Sequence, residues 1–180
     1  MNVCQSPPHI GTLSEGSLHA DLKQWYACPG DRLEVRVGNY VVDIVRGDLL
    51  IEIQTGNFSA IRHKLSHLLE SHALRLVYPI PQEKWLLRQT AGGGSNTRRK
   101  SPRLGRIEDV FYELVNIASL AGHPRLTLEI LLIREEIILR NDGKGSWRRK
   151  GWSITERRLI EVMKRHLFTS INDYRGLLPP

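Results

Sequence analysis

The run Asp31 to Gln54, DRLEVRV-GN-YVVDIVR-GD-LLIEIQ, decides the fold. Three segments rich in Val, Ile, Leu and Tyr are separated by Gly38-Asn39 and Gly47-Asp48. Both separators are two-residue pairs of the kind that close tight β-hairpins. The reading is three antiparallel strands in a meander. A two-residue loop fixes register, and register decides which side chains share a face. With Val37 opposite Tyr40, Glu34 falls opposite Asp43. With Arg46 opposite Leu49, Asp43 falls opposite Glu52. The expectation is therefore a row of three carboxylates on one sheet face, with Gln54 two residues beyond Glu52. Acids placed side by side repel one another unless a cation offsets them, and oxygen ligands suit a divalent ion. The plainer alternative is an exposed sheet face whose acids pair with Arg36, Arg46 or Lys64.

Outward from this run, Thr12 and Glu15 have the spacing of a capping box, and Leu18, Leu22, Trp25 and Tyr26 recur at helical spacing. A helix is expected over 13–26, stopped by Pro29-Gly30. Asn57 is a candidate cap for a helix over 58–71, with Phe58, Ile61, Leu65, Leu68 and Leu69 as its apolar stripe. ALRLVYPI reads as a fourth strand ended by Pro79 and Pro81, and EKWLLRQ as a separate fifth. Residues 91–105, AGGGSNTRRKSPRLG, read as a basic linker. Beyond it come a helix over 107–120, a strand or hairpin over 125–140, and a helix over 154–167 opened by Ser153-x-x-Glu156. The resulting division is a core over 1–89, a linker over 90–106 and an α+β extension over 107–180, the last read as the start of a winged-helix domain.

The order of helix, three-strand meander, helix and strand, together with Asp43 followed nine residues later by Glu52-Ile53-Gln54, resembles the PD-(D/E)XK (restriction-endonuclease-like) nuclease pattern. The resemblance covers about residues 13–80. It implies an α/β fold with a restriction-endonuclease-like core and a Mg²⁺- (or Mn²⁺-) dependent hydrolysis of phosphodiester bonds in DNA. It implies Asp43 and Glu52 as metal ligands, with the carbonyl of Ile53 as a further one. Glu15 matches the family's helical Glu, and Glu34 is an additional acid beside the set. Gln54 stands where the pattern carries a catalytic Lys; some restriction enzymes of this fold resemble this chain in having Gln there. The alternative is a catalytically inactive nucleic-acid-binding module on the same fold, and a third reading is a protein-interaction domain.

Charge bears on the partner. The chain carries a net charge of +7 over 180 residues. Residues 1–89 hold nine Lys/Arg and nine Asp/Glu, so the whole excess lies in the second half. That asymmetry points to a polyanion. Arg98, Arg99 and Lys100 form one basic cluster, and Arg148, Arg149 and Lys150 form another between Trp147 and Trp152, where indoles are candidates for stacking on unpaired bases. His19 and Lys23 follow Glu15 at i+4 and i+8 and are expected to face the scissile phosphate, with Lys64 as a phosphate contact. His63 and His67 lie at i, i+4 and read as solvated surface rather than a zinc pair. Two cysteines, Cys4 and Cys28, make no disulfide framework, and the first residues lack the pattern of a signal peptide, so a cytoplasmic location is expected. No apolar stretch is long enough for a membrane span, and a homodimer remains open.

Overall fold

Both hairpins close as their turn pairs dictate. In the computed structural model, which describes residues 17–89, 96–145 and 151–177, strands β1 (Arg32–Val37), β2 (Tyr40–Arg46) and β3 (Leu49–Ile53) form an antiparallel meander. Val37 pairs with Tyr40 and Arg46 with Leu49. Gly38 and Gly47 have φ of +58° and +56°, a left-handed backbone at the first turn position that glycine adopts without a Cβ penalty. Helix α1 (Ser17–Tyr26) precedes the meander; Thr12, Glu15 and the expected start of this helix lie outside the described residues. Helix α2 (Phe58–Leu69) follows, and leads into β4 (Ala73–Gln89), which runs parallel to β3.

The two helices cover opposite faces. Leu18, Leu22 and Tyr26 of α1 pack with Ile44, Ile51, Ile53, Val77, Leu131 and Ile133. Phe58, Leu65, Leu68 and Leu69 of α2 pack with Val42, Val45, Leu50, Leu74 and Leu76. A sheet apolar on both faces suits the parallel pairing at its centre. Asn57 does not cap α2 with its side chain: it takes a left-handed φ of +58°, its Oδ1 accepts from Ser59, and the Phe58 N–H goes to Glu113 Oε2 at 2.8 Å.

Several expectations for the second half are corrected. β4 does not stop at Pro79 or Pro81; it continues to Gln89, with one irregularity between Pro81 and Glu83. Val77 C=O accepts from Gln54 N–H on the β3 side. Residues 79 and 81 point the same way along the strand, but β3 has ended there, so their missing N–H groups interrupt no ladder. Instead Pro81 C=O accepts from Gly105 N–H at 3.1 Å. Within the expected linker, β5 (Thr97–Lys100) folds back antiparallel on β4. Residues 107–117 form the expected helix as a short α3 (Phe111–Leu114) between two 3-10 turns.

β6 (Leu126–Asn141) then runs parallel along nearly the whole of β4, and β7 (Trp152–Phe168) returns antiparallel to β6. The sheet order is β1-β2-β3-β4-β6-β7 with β5 beside β4, seven strands in all, so strands from both sides of the expected 90–106 boundary share one sheet. The expected helix over 154–167, and with it the winged-helix reading, is replaced by β7. Ser153 does not cap a helix; its hydroxyl donates to Asp142. Three register shifts leave Met163, Ile160 and Thr155 unpaired, which breaks the period-2 pattern by which a strand is read. Pairing with the apolar β6 overrides that local signal. A short α4 (Ile171–Arg175) closes the described chain, with Tyr174 stacked on Phe168. No helix of the described residues is long and apolar enough to cross a membrane.

Candidate metal centre at the β2–β3 fork

The β2–β3 ladder ends early. Arg46↔Leu49, Val45↔Leu50 and Ile44↔Ile51 pair, but Asp43 and Glu52, next in register, do not. The β1–β2 ladder skips the same place: Leu33 pairs with Ile44 and Val35 with Val42, with Glu34 and Asp43 between them unpaired. Packing shows why. Val42 and Val45 both face α2, three positions apart rather than two, while Ile44 faces α1. The strand changes phase at Asp43, and β2 and β3 part there.

Asp43 fills the gap. Its Oδ2 accepts the Ile53 N–H at 2.8 Å and lies 3.2 Å from His19 Nε2 on α1. Since Gln54 N–H bonds toward β4, the Ile53 N–H and C=O point the other way, into the same gap. Burial would raise the Asp43 pKa, but the His19 hydrogen bond, the Ile53 N–H and the charges of His19 and Lys64 outweigh it and hold it below the ordinary carboxylate value. Glu52 sits beside it and is 6% exposed. Lys64 of α2 donates to Glu52 Oε1 and, at 2.6 Å, to Val41 C=O. Glu52 Oε2 is buried without a hydrogen-bond partner. Burial first, and the charge of Asp43 second, raise the Glu52 pKa despite Lys64. Two neighbouring carboxyls are thus pushed in opposite directions.

The expected row of three acids is corrected to a pair. Glu34 has a left-handed φ of +52° and its carboxylate is bound by Lys23 of α1. Among the described residues no three His, Cys, Asp or Glu side chains lie close enough to hold a metal ion. A divalent ion at the fork would therefore be held by Asp43, Glu52, the Ile53 carbonyl and water, an all-oxygen set that fits Mg²⁺, which keeps several waters and needs few carboxylates. The orphaned Glu52 Oε2 favours that fit. Gln54 is turned aside: its amide donates to the carbonyls of Gly56 and Asn57, holding the loop into α2. The cation at the fork is Lys64. Glu15 lies outside the described residues.

A domain of unknown function (DUF8091) matches residues 16–169. The chain belongs to the DUF8091 family. An uncharacterized protein of Treponema pallidum (strain Nichols) is 32% identical over 160 residues, 88% of this chain. The chain spans 64% of the length of that relative. No solved structure matches.

In this DUF8091 domain the expected nucleic-acid contacts divide. His19, Lys23 and Lys64 each hold an acid near the fork. Arg98 bonds Glu136 at 2.7 Å with its guanidinium over the Trp85 ring, and Lys100 bonds Glu83 at 2.9 Å. Arg99 is exposed on β5. Arg148, Arg149 and Lys150 lie outside the described residues. His67 packs on Tyr40 and is 3.9 Å from Glu70. Sequence reasoning missed Arg88, which lies over the Trp152 ring, and put Arg157 on the expected helix from 154, whereas from β7 it bonds the buried Glu135. Their shared face exists only once β7 is a strand; the β-branched Ile154, Thr155, Ile160 and Val162 were the available signal.

Proposed function

We propose that the fork between β2 and β3 binds one Mg²⁺ or Mn²⁺ ion and that the protein is a DNA-hydrolysing nuclease of PD-(D/E)XK type. The observation that carries this reading is the buried, unpartnered Glu52 Oε2 beside Asp43, whose Oδ2 accepts the Ile53 N–H. Leaving a charged acceptor dry and unpaired is costly, and an ion there would remove the cost. Element order supports it too: helix, antiparallel meander, helix and parallel strand, with the helices on opposite faces. When bound, such an ion lowers the pKa of a coordinated water and shields charge building on the phosphate. His19 and the Ile53 N–H hold Asp43 ionised and oriented at the fork. Lys64, bound to Glu52 Oε1, would supply the cationic group that residue 54 lacks. Hydrolysis forms one P–O bond to the water oxygen and breaks one to a sugar oxygen, which takes up a proton. The test is nicking of supercoiled plasmid with Mg²⁺ or Mn²⁺, wild type against Asp43→Ala, with folding checked by circular dichroism. Cleavage lost in the variant is expected, and equal cleavage in both rejects the reading.

A second reading, a catalytically inactive nucleic-acid-binding module, is favoured by Gln54 being engaged with the Gly56 and Asn57 carbonyls and by Lys64 already neutralising Glu52. It predicts salt-sensitive binding that survives Asp43→Ala, without cleavage.

A further inference from the structure

β4 and β6 do not end with the fork. β3 stops pairing with β4 at Ile53↔Val77, yet β4 runs twelve residues further to Gln89, with β5, β6 and β7 alongside. At a rise of about 3.3 Å per residue this ribbon extends roughly 40 Å from the edge of the Asp43–Glu52 gap.

Register sorts the ribbon's charges onto two faces, because paired residues share a face. One face holds the rows Lys100↔Trp85↔Glu136↔Arg158 and Glu83↔Arg134↔Glu161. Its cations are largely matched by acids: Arg98 with Glu136, Lys100 and Arg134 with Glu83, Arg134 with Glu161, and Arg158 with Glu156, at 2.7 to 2.9 Å. The other face holds Arg99↔Leu86↔Ile137↔Arg157, Lys84↔Glu135 and Arg88↔Leu139. Its one acid within these rows, Glu135, is wholly buried between Lys84 and Arg157. Arg88 and Arg99 are exposed, and among the described residues no acid forms an ion pair with either. One face is ion-paired and the other is cationic.

We propose that the cationic face of this ribbon, formed by Lys84, Arg88, Arg99 and Arg157, seats the backbone of a nucleic-acid duplex running away from the fork. Its four cations lie in the rows through Lys84, Leu86 and Arg88 of β4, a stretch of about 13 Å at the same rise per residue, on the part of the ribbon away from the fork. Duplex rather than single strand follows from Trp152, the indole of the described residues on this face: the Arg88 guanidinium lies 5.1 Å from its ring centre and occupies the side on which an unpaired base would stack. For its direction toward the fork the inference rests on the nuclease reading, but binding is measured apart from cleavage.

The experiment is fluorescence anisotropy of the full chain in EDTA with a 24-base-pair blunt duplex (roughly two helical turns) and with one of its strands alone. Arg99→Gln on the cationic face is compared with Arg140→Gln, an arginine also exposed but on the ion-paired face. Each phosphate contact contributes about −0.9 to the slope of log K against log salt, so Arg99→Gln is expected to weaken duplex binding about 8-fold at 0.1 M salt and to flatten the slope by about 0.9. Arg140→Gln is expected to change binding less than about 2-fold, since it removes no such contact. Equal effects of the two variants, single strand bound as tightly as duplex, or binding only to anionic vesicles each overturn the inference. Duplex binding with this pattern but no cleavage in Mg²⁺ leaves it standing and removes the nuclease reading instead.

Discussion

Replacing Lys64 by Met should destabilise the protein far more than replacing Glu52 by Gln. The Lys64 side chain is 16% exposed and the Glu52 side chain 8%. Removing the cation leaves a carboxylate that already has one oxygen without a partner and a neighbouring charge in Asp43. Breaking a buried pair from one side costs about 3–5 kcal/mol; with Lys64 partly solvated, we expect about 2–4 kcal/mol for Lys64→Met. At about 2–4 °C per kcal/mol for a chain of this size, Tm falls by about 4–16 °C. Glu52→Gln keeps an acceptor for Lys64 and removes both repulsion and desolvation, so it is expected to be neutral or stabilising by up to about 2 kcal/mol at pH 7. The sign with pH follows from the raised pKa of Glu52. Its contribution to stability is fully present below the unfolded value of 4.5 and is lost as pH rises through the folded value. The advantage of Glu52→Gln should therefore vanish near pH 4 and grow toward neutrality. Urea denaturation of both variants and the double variant, without divalent ions, at pH 4 and pH 7 measures this. Equal losses in the two single variants at pH 7, or no coupling in the double-mutant cycle, would refute the reasoning.

Metal binding at the fork should weaken as pH falls through the raised Glu52 pKa, with proton release that calorimetry in buffers of different ionisation enthalpy detects; a pH-independent enthalpy and affinity would contradict it. Glu113→Ala should cost about 1 kcal/mol, because it removes the acceptor of the Phe58 N–H at the start of α2; chemical denaturation reads the loss. Glu129 is 2% exposed and takes bonds from Tyr26 and Arg165 with Arg75 3.5 Å away, so Glu129→Ala should cost about 3–5 kcal/mol and Tyr26→Phe only about 1–2. Equal Tm losses in those two would argue against a buried ion cluster there.

The meander was legible because Gly38 and Gly47 fix loop length, and loop length fixes register. The adjacency of Asp43 and Glu52 followed from that register. What the register does not encode is the phase change at Asp43, set by α1 and α2 drawing Ile44 and Val45 to opposite faces, nor the left-handed backbone that gives Glu34 to Lys23. Pro79 and Pro81 misled because their meaning depends on where β3 ends, a non-local fact. β7 was hidden by the capping-box spacing of Ser153-x-x-Glu156 and by three unpaired residues that break the period-2 pattern, and with it went the face carrying Arg88 and Arg157.

The most direct measurement is calorimetric titration of Mn²⁺ into the full chain and into Asp43→Ala. The account predicts one ion per chain, competed by Mg²⁺ and abolished by the substitution. No binding to the wild type, or unchanged binding to the variant, would contradict it.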